Sequence, residues 1–408
     1  MSAQTKIDVQ GEIAALAAFE ERGPGTDSER RAAEHLAARL KSLGREAELE
    51  PIWVRPNYAL THAIHALLAI VGSVLSVGAP LPGALLVLFA AVSTFGDLTG
   101  GFHLVRRILP KRASQNVVSP EDSDKPGTLV LVAHYDAAAT GGFFSRRAQS
   151  RRASFGKLIH RSIGPWEPFF WSLMLLLLAT ALRLLGIEGL ALTIIQFVPT
   201  VALILALPLL LDIALSGYVQ GASDNASGVA ATLALAQSHG GRLEHLDLWV
   251  VLPGAEEGLF GGMREWVKAN KRHLDPQNTI FLGIDNVGAG TIRFAEREGW
   301  AVQSRYHPRL LEFAREVAED VDDYGARGIS DRTASSVNLA RSAGFPALAI
   351  GARGAMDYSP TWHNADDTVK RIDPASVGRA IDFTADLIEL IDERIGPDLA
   401  PSEGAKPA

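Results

Sequence analysis

The sequence predicts an α/β domain, a mostly parallel sheet covered by helices on both faces, with four transmembrane helices inserted as two hairpins. Three observations predict it. Short apolar runs alternate with helical patterns through the polar parts of the chain, which is how a helix-covered parallel sheet reads. Two long stretches are nearly free of charge. Acids and histidines recur where the apolar runs end.

The first residues, "MSAQTKIDVQGEIAALAAFEERGPGTDSERR", lack the basic-then-apolar pattern of a secretory signal and read as two helices separated by "RGPG". The second helix has a capping-box start, with Thr26 three residues before Glu29, and apolar spacing through Ala32, Leu36 and Leu40. "REAELEPIWV" then alternates into a strand. Further on, "GTLVLVAHYD", "LDLWVVLPG", "NTIFLGIDNV" and "FPALAIGA" read as short buried strands. "SGVAATLALAQS", "LFGGMREWVKAN", "RLLEFAREVAED" and "PASVGRAIDFTADLIELIDERI" read as the helices between and after them. In such sheets ligands bind beyond the carboxyl ends of the strands. Residues 395–408, rich in Pro, Gly and Ala, read as a disordered tail.

The apolar stretches come next. From Pro56 to Gly96, 41 residues contain no Asp, Glu, Lys or Arg, about twice the ~20 that cross a bilayer as one helix. "GAPLPG" lies in the middle, where Gly and Pro turn the chain, so helices are expected over 60–78 and 82–98. The alternative, a pair of buried core helices, does not explain the length or the missing amphipathic period. The second stretch begins at "PWEPFFWSLMLLLLATALRLLG", and Glu188 and Asp212 bracket 23 further residues without an acidic or basic side chain. Helices over 165–184 and 190–213 follow, with Trp166, Phe169, Phe170 and Trp171 placed as an interfacial belt.

Two hairpins return the chain to one side. Arg106, Arg107, Lys111, Arg112, Arg146, Arg147, Arg151, Arg152, Lys157 and Arg161 flank them on that side, whereas the tips hold only Arg183 and Glu188. The positive-inside rule makes the polar part cytoplasmic. The basic stripe lies along anionic headgroups or forms a solvated loop. His62 and His65 are expected near the interface, or as a polar path within the bilayer.

Composition excludes several classes. The chain of 408 residues is 47% hydrophobic and 21% charged, with mean hydropathy +0.12, so membrane segments are joined to an ordinary globular part. A net charge of -7 and a pI near 5.9 argue against a nucleic-acid binder. Cysteine is absent, which excludes disulfides, thiolate zinc sites and a Cys nucleophile. Any metal site must use His, Asp and Glu.

Those residues sit where the sheet would place a ligand. His134 and Asp136 follow "LVLVA", Asp224 stands in "GASDNASG", Glu256 and Glu257 follow "LWVVLPG", Asp285 follows "IFLGI", and His363 follows "YSPTW". Singly, each has an ordinary reading: a loop, an N-cap, a turn residue, a surface histidine. Glu256 and Glu257 alone would suit the positive end of a helix dipole. Together they offer a set of nitrogen and oxygen metal ligands with no sulfur.

With these motifs in order, the chain resembles the M28 zinc metallopeptidases, the co-catalytic dizinc aminopeptidases, over about residues 10–54 and 113–394. The resemblance implies a catalytic domain built from 1–57, 99–164 and 214–394, with transmembrane hairpins at 58–98 and 165–213. It implies two zinc ions per chain: His134 and Asp285 on one, Glu257 and His363 on the other, and Asp224 bridging both. Asp136 would orient the His134 ring and Glu256 would be the general base. A carboxylate spans two metals about 3.5–4 Å apart, and His with carboxylate oxygen is a suitable zinc set. The partners implied are a peptide substrate, held at or emerging from the membrane, and the lipid bilayer; no oligomeric state follows. Rival readings are a single-zinc acyl-transfer enzyme resembling glutaminyl cyclases, and a silent receptor or scaffold on the same fold. The chain departs from the family pattern at Trp362, where a tyrosine is frequent, with Tyr358 nearby, and at Arg332, where a histidine is frequent.

Overall fold

Apolar alternation and helical periodicity sort this chain into one sheet with its covering helices and a separate bundle of apolar helices. The computed structural model describes residues 7–354 and 357–399. In chain order the helices are α1 (Val9–Ala17), α2 (Asp27–Ser42), α3 (Tyr58–Leu75), α4 (Pro80–Leu98), α5 (Arg146–Leu158), α6 (Glu167–Leu184), α7 (Leu190–Leu215), α8 (Ser227–His239), α9 (Gly261–Asn270), α10 (Pro308–Asp320), α11 (Val337–Ser342) and α12 (Pro374–Arg394). The strands are β1 (Glu48–Val54), β2 (Arg112–Ser119), β3 (Gly127–Val132), β4 (Leu246–Leu252), β5 (Thr279–Asp285), β6 (Thr291–Glu298), β7 (Ser304–Arg305), β8 (Arg327–Asp331) and β9 (Ala347–Arg353).

The sheet order is β1-β2-β4-β3-β5-β9-β6-β7, with β8 beside β6. The four central strands β4, β3, β5 and β9 are mutually parallel, as expected, while β1, β2, β6 and β7 add antiparallel pairs at the flanks. The sheet is therefore mixed. The central strands are apolar on both sides because helices cover both faces. On one side α8 packs with α12 and α1, and α9 packs with α11 on the other. Gly283 of β5 shows how close this packing is, since a Cβ there would meet Val337 of α11 at 2.7 Å.

α3, α4, α6 and α7 form the second body, and all four are long and apolar enough to cross a membrane. Small residues line its seams, including Ala59, Ala63, Ala66 and Ala69 of α3 and Ala90 and Ala91 of α4. At the α3–α4 crossing a Cβ on Gly72 would meet the Gly83 carbonyl at 2.8 Å, a close backbone approach that only glycine allows. Polar cross-links tie α3 to α7: Gln196 Nε2 donates to the Ser73 carbonyl at 2.6 Å and to Ser76 Oγ at 3.0 Å. The outward surface is apolar, with Val74, Leu85, Phe197 and Leu205 each more than half exposed.

Three expectations change. The basic segment is a helix, α5, rather than a loop; its Arg, Ala, Gln and Lys are good helix formers, and Ser145 caps it by accepting Ala148 N–H. Of the capping box at α2, Thr26 accepts Glu29 N–H at 3.2 Å, but Glu29 Oε2 accepts Gly25 N–H at 2.7 Å, one residue early, while Oε1 turns to Ala255 and Ser114. The disordered tail expected over 395–408 does not start at 395, where Ile395 is buried and Gly396–Leu399 is helical; 400–408 lie outside the described residues.

Candidate metal centre

β4, β3 and β5 run parallel and adjacent, so their carboxyl ends lie side by side. His134 and Asp136 follow β3, Glu256 and Glu257 follow β4, and Asp285 is the last residue of β5. Asp224 comes from the turn before α8, joined to Asn225 by a cis peptide bond, and His363 from the loop after β9. All seven residues singled out in the sequence meet in one place.

Two ligand groups result, His134–Asp224–Asp285 and Asp224–Glu257–His363, each with ligand atoms within 4.8 Å of one another. Asp224 belongs to both. Its Oδ1 lies 3.3 Å from His134 Nε2 and its Oδ2 lies 3.5 Å from His363 Nε2. His134 Nε2 is 3.5 Å from Asp285 Oδ1, and His363 Nε2 is 3.2 Å from Glu257 Oε2. Buried Asp224 Oδ2 and Asp285 Oδ1 have no hydrogen-bond partner among the described residues, which a buried polar atom rarely tolerates. Two imidazoles and three carboxylates converging without sulfur fit zinc.

Burial pushes Asp224 up, and the neighbouring Glu257 adds to it. Burial likewise pushes Glu256 well up, with Glu257, Asp136 and Asp285 contributing against His134. For Asp285, burial is outweighed by the adjacent His134 ring and its charge, which hold it down. His134 and His363 are both held up despite burial, the first by Asp136, Asp224 and Asp285, the second by Glu257. So much acid in so little water calls for cations.

The Glu256–Glu257 turn is strained: Ala255, Leu259 and Phe260 have φ of 51°, 63° and 63°, left-handed values that non-glycine residues seldom adopt. It persists because side chains hold its backbone. Asp136 Oδ1 and Oδ2 accept Glu256 N–H at 3.1 Å and Glu257 N–H at 2.9 Å, while Oδ1 lies 3.4 Å from His134 Nδ1. Asp136 thus orients both the histidine and the glutamate pair. Glu29 Oε1 accepts Ala255 N–H at 2.8 Å and Ser114 Oγ–H at 2.9 Å. Burial and Asp136 raise the Glu29 carboxyl to about 8.

Glu29 is one of three supporting residues that the sequence did not reveal. Asp367 accepts Ser223 N–H at 2.7 Å and Asp224 N–H at 3.0 Å, fixing the backbone at the residue common to both groups. Arg22, fully buried, donates to the carbonyls of Leu16 and Gln220 at 3.0 Å and of Gly221 at 3.0 Å. Only Asp367 left a signal, in the acid pair of "HNADDT".

Above the ligands is a cleft with about 1100 Å³ of empty space counted out to its mouth. Residues 143–166 roof it. Phe144 stands 4.7 Å from the His363 ring and 5.3 Å from Trp362, and Gln149 Nε2 donates to the Trp362 carbonyl at 2.7 Å. Tyr358 Oη accepts Ile163 N–H at 2.8 Å and donates to the Ile163 carbonyl at 3.1 Å, so its hydroxyl is committed to the roof. Trp362 stacks at 6.2 Å on Trp300. Arg332 pairs with Glu167 at the start of α6, which gives it a place in the structure that the sequence had not suggested.

No curated protein sequence matches the chain. Solved structures do, at the level of fold. A Zn-dependent exopeptidase from Parabacteroides distasonis superposes with TM-score 0.52 at 13% identity, over 95% of this chain and 97% of that one. The aminopeptidase from Aneurinibacillus sp. strain AM-1 gives 0.53 at 13% identity, over 93% and 92%. A glutaminyl cyclase from Porphyromonas gingivalis gives 0.54 at 14% identity, over 94% and 96%. The family model for peptidase family M28 matches residues 210–388, the segment that carries Asp224, Glu256, Glu257, Asp285 and His363. Over that segment, and in its fold, the chain resembles the zinc metallopeptidases of family M28.

Proposed function

We propose that this protein is a membrane-anchored aminopeptidase that holds two zinc ions. The sharing of Asp224 between two three-ligand groups carries the reading, since a single metal would not need both. His134 and Asp285 would hold one ion, Glu257 and His363 the other. Bound zinc would supply Lewis acidity to the scissile carbonyl and make water acidic enough to ionise near neutral pH. Glu256, which belongs to neither ligand group, takes the proton of the attacking water and returns it to the leaving amine. Asp136 keeps the His134 ring and the Glu256 backbone in register through that exchange.

Anchoring rests on helix length and surface. Helices of 18, 19, 18 and 26 residues span about 27 to 39 Å at about 1.5 Å per residue, against a hydrocarbon core of about 30 Å. The basic residues flanking both hairpins on the side of the sheet support a cytoplasmic metal centre. A reporter fused after Ala408 should then be active only in the cytoplasm, and activity outside the cell reverses the topology.

Similarity to several glutaminyl cyclases favours one alternative, acyl transfer within an N-terminal glutamine. A panel of N-terminally free, acetylated and glutamine-initiated peptides separates the two. The aminopeptidase reading expects stepwise release of free N-terminal residues and no cut of acetylated peptides. Cyclisation of the glutamine peptides without hydrolysis of the others overturns it.

A further inference from the structure

The first hairpin reaches the metal-site turn through a buried polar network. Asp97, at the end of α4, is 1% exposed, and Arg106, in the turn that follows, is 3% exposed. Arg106 Nε donates to Asp97 Oδ1 at 2.9 Å and Oδ2 at 3.1 Å, and Nη2 donates to Oδ2 at 2.8 Å. This fork pairing fixes the plane of the guanidinium. The remaining nitrogen, Nη1, donates to the Arg55 carbonyl at 3.0 Å and to the Gly258 carbonyl. Gly258 directly follows the ligand Glu257.

Asp97 is itself held. His103 Nδ1 lies 2.5 Å from its Oδ1, and His62 Nε2 lies 3.7 Å from its Oδ2. His62 and His65 face each other through Nδ1 at 3.2 Å, and His65 Nε2 reaches Ser93 Oγ at 2.7 Å. Both histidines are fully buried in the bundle. Gly258 also presses on the entry to α3, where a Cβ on it would meet Pro56 Cα at 3.0 Å.

The strained turn from Ala255 to Phe260 is therefore fastened from two directions. Its amides are taken from the sheet side by Glu29 and Asp136. Among the described residues, the one carbonyl within it that a side chain takes is that of Gly258, and Arg106 takes it. A turn in left-handed backbone relaxes when one fastening is removed, and Glu257 and Glu256 would move with it.

We propose that Asp97 and Arg106 are positioning residues for the Glu256–Glu257 turn, so that the first apolar hairpin is a working part of the metal centre. The proposal rests on Glu257 being a zinc ligand. It is tested on the full chain in nanodiscs of one lipid composition, comparing wild type with Arg106→Gln, Asp97→Asn and the control Arg45→Gln. Arg45 also donates to a strand carbonyl, Leu248 O at 2.6 Å, but lies away from the metal centre.

In Arg106→Gln, zinc release to a chelator should quicken and kcat should fall, each by about tenfold to a hundredfold, as for other residues that orient metal ligands. KM should change less than kcat, since Phe144, Gln149, Trp300 and Trp362 across the cleft are untouched. Hydrogen exchange should rise across 255–262 and not elsewhere in the sheet. Asp97→Asn should change the same readouts in the same direction but less, and Arg45→Gln should lower only the unfolding midpoint. The proposal falls if Arg106→Gln and Asp97→Asn leave zinc release and exchange as in wild type, if Arg45→Gln alters them equally, or if neither site variant folds. A wild type that cleaves no peptide would defeat the peptidase reading alone, because exchange across the turn still decides this one.

Discussion

The first apolar hairpin, α3–α4, ends in a polar interior of His62, His65, Ser93, Asp97 and Arg106, and its last hydrogen bond falls on the backbone beside Glu257. The second, α6–α7, is joined to the sheet by a strap of aromatic and cationic residues that lies over the cleft, touching Trp362 and His363 through Phe144 and Gln149. More than half of the apolar windows of α3 and α4 is buried, but only 28% of that of α7. Insertions at two places in one fold have thus been used differently. The first holds a backbone carbonyl by directional hydrogen bonds, and the second lays aromatic contacts and the Gln149 and Tyr358 hydrogen bonds over the cleft.

The largest test acts on the turn that the first hairpin holds. Glu256→Gln keeps shape and loses basicity, so kcat should fall by about a hundredfold to ten-thousandfold with zinc retained. Glu257→Ala should instead lower zinc content. Near wild-type kcat in Glu256→Gln would mean that the two glutamates do not divide base from ligand, and fixing the turn would then lose its catalytic meaning.

A smaller effect is expected from the second hairpin. Replacing 143–217 with a short Gly/Ser linker, the first hairpin kept, should leave cleavage of a soluble peptide within about tenfold. The advantage of the same peptide tethered to the membrane, an effective-concentration effect, should disappear. If both forms are cleaved as before, the strap is only part of an anchor and the contrast between the hairpins collapses.

The smallest effect on activity is expected from a residue that neither hairpin touches. Glu298, buried against Tyr306 and Ser335 and facing Asp331 and Arg353, is raised from 4.5 to about 7 by burial first and Asp331 next. A carboxyl raised in the folded state stabilises fully below its unfolded pKa and loses that contribution as pH rises through the folded one. A raise of this size is of order 3 kcal/mol, lost between about pH 4.5 and 7. The unfolding midpoint of wild type should fall across that window, and Glu298→Gln should flatten the fall while leaving kcat unchanged. An identical slope in the variant would remove Glu298 as the cause.

Six of the seven residues gathered at the candidate metal centre were legible because each stands where an apolar strand stops or a small-residue helix starts; His363, in the loop ten residues past β9, was not marked that way. The central strands were legible for the same reason: β3, β4, β5 and β9 are short apolar runs with clear ends. β6, "TIRFAERE", was not, because charged residues interrupt it and its long partners, β8 and β9, lie far along the chain. Glu29, Arg22 and Arg106 were invisible for a related reason. Each acts on backbone groups, and Glu29 and Arg106 meet theirs 226 and 152 positions away. A backbone amide or carbonyl leaves no letter in the sequence to pair with. Glu29 was read only in part: it does fold back on the helix entry at Gly25 N–H, and its spacing from Thr26 gave no sign of the bond to Ala255.

Zinc stoichiometry of the purified full chain, measured by elemental analysis after exhaustive exchange into metal-buffered solution, tests the central claim most directly. Two ions per chain, falling together in Asp224→Ala because that carboxylate serves both groups, is the predicted result. One ion per chain in the wild type, or an Asp224→Ala variant that still holds two, would contradict a shared-ligand two-zinc centre and turn the reading toward single-zinc acyl transfer.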